Sequence, residues 1–141
     1  MRKFIFTFIT ALTLTSPVTM AEEIVIIVAP ENSTSLEIED VARIYLGKRT
    51  RLPSGEEVTP LDLQPNDPTY REFSLRVLNK TPNQLRAYWA KRIFTGKGKP
   101  PRVVRNAEEM QRLVGGDIHY LGYVNGQDIT DAVRPVVVTT E

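Results

Sequence analysis

Apolar positions along the chain fall into short continuous runs separated by stretches with helical spacing. EEIVIIVAP is a nearly unbroken, largely β-branched run from Ile24 to Ala29, ended by Pro30. A short run without alternation predicts a strand buried on both faces, as in a parallel sheet covered by helices. LEIEDVARIYLGK then places Ile38, Val41, Ile44 and Tyr45 on one helical stripe, with Gly47 as its stop. After the turn-rich RTRLPSGEE, VTPLDL predicts a second strand from Val58 to Leu63, with Pro60 pointing to an edge position or a late start.

From Asp67 the spacing is helical again, with Tyr70, Phe73 and Val77 on one face. TPNQ at Thr81 is a capping box with proline at the first helical position, so a third helix starts at Pro82. Its predicted stripe is Leu85, Tyr88, Trp89 and Phe94, and Gly96 ends it. RVVR predicts a third strand. Asn106 with Glu109 caps a fourth helix running through Val114, and GGD is the expected turn out. IHYLGYV and VRPVVV are the fourth and fifth strands. Strands alternating with helices imply one α/β domain with a mostly parallel sheet flanked by helices, over residues 22–141.

The first 21 residues stand outside that pattern. MRKFIFTFITALTLTSPVTMA has Arg2 and Lys3, an apolar run from Phe4 to Leu14, and small residues leading to Ala21. These are the marks of a cleaved secretory signal peptide, and they imply a periplasmic protein. Removing this segment takes away two basic residues from 18 against 17 acidic. The balance becomes about −1, which leaves no global field for nucleic acid. With no cysteine in an oxidising compartment, packing alone must hold the fold, and thiolate chemistry is excluded.

Four segments in order, LEIEDVARIYLGK, YREF with VLNK, LRAYWAKRIFTGKGKPP, and NAEEMQRLV followed by HYLGYV, resemble the phosphate-binding proteins of bacterial ABC transporters. Those belong to the type II periplasmic binding protein superfamily. The resemblance spans roughly Ile24 to Val138 and implies the equivalent of one lobe of such a protein, whose ligand sits in a cleft between two lobes. It also implies a non-enzymatic substrate-binding role in transport, with phosphate or another small oxyanion as ligand.

In the family, the helix after the second strand of this lobe is entered through an arginine and then Ser-Gly-Thr, with a phenylalanine four residues after the threonine. Counting back from Phe73 puts Thr69 at the threonine, Pro68 at the glycine, Asp67 at the serine and Leu63 at the arginine. An anion at a helix N-terminus needs free backbone N–H groups, a close approach and a cation opposite. Proline removes an N–H, leucine removes the cation, and an N-cap aspartate aims its own carboxylate at the first turn. The expectation is a phosphate cradle turned into a self-capped structural turn, so that any oxyanion is held weakly.

Two other stretches offer polar contacts. In the loop PENSTS, Ser33, Thr34 and Ser35 follow the first strand, where ligands gather in open α/β sheets. The competing reading is a helix cap, with Thr34 and Glu37 spaced as a capping box. Lys91 to Arg105 holds six basic residues and no acid. Lys97, Lys99, Arg102 and Arg105 are candidates for contacting an anion or an acidic partner, against the alternative of a solvated loop.

His119 is the sole histidine and falls in the predicted fourth strand, on the face of Leu121 and Tyr123, as a packing residue. One histidine without cysteine gives no metal site, no cofactor is implied, and no nucleophile–base arrangement suggests an enzyme. The remaining Asp and Glu read as solubility. The competing functional class is an envelope interaction or adaptor protein. It would dock on a membrane partner, or form a homodimer, through the face left open by the missing lobe.

Overall fold

The structure, a computed structural model, describes residues 23–139, so the expected signal peptide lies outside the described residues. Five strands and four α-helices follow in chain order. They are β1 Ile24–Val28, α1 Ile38–Tyr45, β2 Thr59–Asp62, α2 Pro68–Arg76, α3 Pro82–Phe94, β3 Arg102–Val103, α4 Ala107–Gly116, β4 Tyr120–Asn125 and β5 Arg134–Thr139.

The sheet has the order β3-β2-β4-β1-β5. β2 pairs parallel with both β3 and β4, whereas β1 pairs antiparallel with both β4 and β5. Four strands therefore run one way and β1 alone runs against them, so the expected α/β sheet with its helices is present as a mixed sheet in which one strand is reversed. All five β1 residues are buried, as its apolar run predicts. Burial on both faces is satisfied equally in either direction, so the run specifies a central strand without specifying its sense.

β2 occupies an interior position despite Pro60. β3 pairs only with Leu61 and Asp62, so position 60 owes no ladder bond on that side.

The local capping signals are realised. The Thr81 hydroxyl accepts from the Gln84 N–H at 3.2 Å, and the Gln84 side chain accepts from the Thr81 N–H at 2.9 Å. Asn106 Oδ1 accepts from the Glu109 N–H at 2.9 Å. α4, however, continues through Gly115 and Gly116 instead of turning out there. A Cβ on Gly115 would overlap the Ala132 carbonyl oxygen, and one on Gly122 of β4 would lie 2.6 Å from Met110 Sδ. These glycines let α4 close down on the sheet and on the segment entering β5, which is a packing role and not a turn role.

The core unites β1 and β4 with Val41, Ile44 and Tyr45 of α1, Phe73 of α2, Leu85 and Trp89 of α3, and Met110 and Val114 of α4. Phe94, expected on the buried stripe of α3, is 92% exposed. It sits nine residues beyond Leu85, at the last residue of α3, where no described element covers it. His119 also departs from expectation: β4 begins one residue later, and the exposed imidazole sits 2.9 Å from Asp117 Oδ1.

Candidate functional site

β2 ends in Asp62, and that carboxylate is 7% exposed. Tyr123 of β4 donates its hydroxyl to Asp62 Oδ1, and the Leu63 N–H donates to the same oxygen at 3.0 Å. Around them stands an aromatic stack. Phe73 lies flat on Tyr123 with centroids 3.8 Å apart, and Tyr45 meets Phe73 edge-on at 4.7 Å. The Tyr45 hydroxyl donates to the Leu61 and Leu121 carbonyls, tying β2 to β4 directly below the site.

Burial is the dominant cause that pushes the Asp62 carboxyl up from 3.8 to about 6, against the lowering effect of its bonds from Tyr123 and Leu63. Burial, followed by the nearby Asp62 charge, raises the Tyr123 and Tyr45 hydroxyls well above the usual phenol range.

Asp62 forms part of the wall of a cavity of about 370 Å³, otherwise lined mainly by Leu63, Tyr70, Leu85, Trp89, Ile93, Val103 and several prolines. Reading the scattered acids as solubilising missed this residue. The available signal was an acid set between Leu61 and Leu63 inside the apolar run VTPLDL, a place where a solubilising charge is out of position.

The start of α2 lies just beyond. Asp67 is its N-cap, and its carboxylate accepts from the Thr69 N–H at 2.9 Å. Pro68 occupies the first helical position, and Thr69 is buried. Leu63 is buried in the core. The self-capped turn expected from the sequence is therefore present as geometry. One first-turn N–H is held internally, and Pro68 has none to offer.

The PENSTS loop is elsewhere. Because β1 runs against β2 and β4, the loop after β1 emerges at the opposite end of the sheet from the start of α2. Its attachments agree: Asn32 Nδ2 donates to the Ile118 carbonyl just before β4, at 3.0 Å. Arg134, at the start of β5, donates to the carbonyls of Asn32 and Thr34. Ser33, Thr34 and Ser35 line a separate cavity of about 250 Å³ with Glu31, Ser54 and Glu56.

The Thr34–Glu37 box does not form. Glu37 is itself the N-cap of α1. The backbone of Thr34 is held instead by the Asn32 side chain and Arg134, which leaves Thr34 Oγ1 buried without a partner.

The basic candidates do not act as one cluster. Lys99 and Arg102 line a third cavity, of about 400 Å³, with Arg49, Trp89 and Tyr120. Arg105 pairs with Glu109 at 3.2 Å. Lys97 lies in the exposed loop, where its carbonyl accepts from Arg92. Among the described residues there is no group of three or more His, Cys, Asp or Glu placed to hold a metal ion.

No protein-family model matches the sequence, and neither does any curated protein. Solved structures do match the fold. An ABC-type phosphate transport receptor from Vibrio cholerae aligns with a TM-score of 0.64 at 16% identity, over 82% of this chain and 45% of its own. A putative phosphate ABC transporter substrate-binding protein from Clostridium perfringens, solved with bound phosphate, gives 0.64 at 17% identity, over 82% of this chain and 44% of its own. PstS from Borrelia burgdorferi gives 0.60 at 15%, over 82% of this chain and 46% of its own. The chain spans less than half the length of these proteins, and at such identities the likeness concerns the fold. In architecture, this chain corresponds to about one half of a phosphate-binding protein of the ABC-transporter type.

Proposed function

We propose that the protein is a non-enzymatic, periplasmic binding module built on half of a phosphate-binding-protein fold, in which the phosphate cradle has been replaced. The observation that carries this is the Asp67 carboxylate seated on the Thr69 N–H. A second anion at that place meets a negative charge, a proline and a buried leucine where it needs N–H groups and a cation. Asp62, at the end of the preceding strand, adds a further buried carboxylate. One lobe also leaves a small ion largely hydrated on its open side, which limits the binding free energy. Location in the periplasm rests on the signal-peptide pattern of residues 1–21. No described helix is long and apolar enough to cross a membrane.

Calorimetric titration with phosphate at low ionic strength tests the proposal, using the natural protein and an Asp67→Ser, Pro68→Gly double variant. No heat from the natural protein, with binding gained by the variant, is the expected result. A dissociation constant of about 10 μM or below for the natural protein overturns it.

A second reading, docking on an envelope partner or on another copy of the chain, is favoured by one observation. Ile93 and Val103 are exposed apolar residues lining the Asp62 cavity, and the exposed Phe94 follows Ile93 at the end of α3. Sedimentation over a wide concentration range separates the two forms of this reading. Concentration-dependent dimers that vanish in Phe94→Ser support the homodimer, and a strict monomer refutes it.

A further inference from the structure

The Asp62 cavity has a chemistry opposite to that of an anion site. Asp62 is the sole acid in its lining, and Arg86, exposed on α3, is the sole base. The other walls are apolar or aromatic, and at about 370 Å³ the space is at the small end of ligand pockets. Both hydrogen bonds to the Asp62 side chain fall on Oδ1, and Oδ2 receives none from the described residues. We propose that this cavity binds a small organic cation with an apolar or aromatic body, its charged head seated on the Asp62 carboxylate.

Two features favour that ligand over a neutral or anionic one. The carboxylate is held in a low-dielectric wall with an acceptor oxygen unclaimed by the protein, so a cation supplies the charge-assisted bond it lacks. Tyr70 and Trp89 offer aromatic surface to the body of the ligand, and aromatic faces also attract cations. Arg86 opposes a cation, but its charge is exposed and screened whereas that of Asp62 is buried. The inference rests on the proposed loss of the anion cradle, because a cavity still serving phosphate needs a cation where Leu63 stands.

Three probes with one body separate the possibilities: 2-phenylethylamine, 2-phenylethanol and phenylacetate. They are titrated at neutral pH into the natural protein, Asp62→Asn and Ala90→Trp, with binding followed by amide shifts in NMR spectra. Ala90 is an exposed residue of α3 that lines the cavity, so Ala90→Trp fills the site without disturbing the core and keeps the test decisive should Asp62→Asn fail to fold.

The expected result is saturable amine binding with a dissociation constant of roughly 1 mM, about tenfold tighter than for phenylacetate. That binding is lost in Ala90→Trp at an unchanged thermal midpoint, and the preference for the amine disappears in Asp62→Asn. Equal or tighter binding of phenylacetate, amine binding indifferent to Ala90→Trp, or saturation by no probe overturns the proposal. A phosphate titration run alongside keeps the two readings apart: silence of both amine and phosphate sinks the cation site while leaving the loss of the cradle standing.

Discussion

Replacing Asp62 with asparagine removes a buried negative charge and keeps an oxygen able to accept from Tyr123 and Leu63. Burial raises the folded-state pKa from 3.8 to about 6. Between those two values the folded state binds more protons than the unfolded state, so stability falls as pH rises through this window. The destabilisation is absent below the unfolded value and complete above the folded one. A displacement of about two units at 1.36 kcal/mol each corresponds to roughly 3 kcal/mol. Urea unfolding of both proteins between about pH 4 and pH 7 measures it. Relative to the natural protein, Asp62→Asn is expected to gain stability by about 2–3 kcal/mol across that range, in the direction of rising pH. A difference that stays flat with pH, or moves the other way, refutes the claim that Asp62 is held as a costly buried charge.

Two further substitutions probe the packing. Gly115→Ala forces a methyl group into the Ala132 carbonyl and is expected to cost about 1–3 kcal/mol in urea unfolding, despite the better helix propensity of alanine. A stabilised Gly115→Ala protein contradicts the close approach of α4 to the segment before β5. Phe94→Ser should change stability by less than about 0.5 kcal/mol, because the ring is exposed. A loss of several kcal/mol places Phe94 in the core after all.

What the sequence disclosed, and what it hid, follows the range of the interactions involved. Caps are local: Thr81 with Gln84, Asn106 with Glu109, and Asp67 with Thr69 close their bonds within three residues, and spacing alone reveals them. The order of elements was legible for the same reason. Strand direction is non-local. The apolar run of β1 declares burial on both faces, but its antiparallel sense depends on β4 and β5, about a hundred residues away. That single reversal is why the PENSTS loop and the start of α2 fall at opposite ends of the sheet.

Thr34 shows the same limit in miniature. A capping pattern was present, yet Arg134 from the far end of the chain holds the Thr34 carbonyl and α1 begins later. Asp62 was hidden because its character comes from Tyr123, Phe73 and Tyr45 closing around it, and only its position between Leu61 and Leu63 in an apolar run hinted at burial. Phe94 fitted a helical stripe in projection, but at the last residue of α3 no described element covers its ring.

The central claim is that the N-terminus of α2 is already occupied by the protein's own anion, and the Thr69 amide reports on it directly. Its resonance in nitrogen–proton correlation spectra, followed as phosphate is added to the natural protein at low ionic strength, is the measurement to make. The account predicts no saturable shift of Thr69 at phosphate concentrations up to about 10 mM. A saturable shift with a midpoint of about 10 μM or below means that phosphate displaces or bypasses Asp67, and contradicts the account.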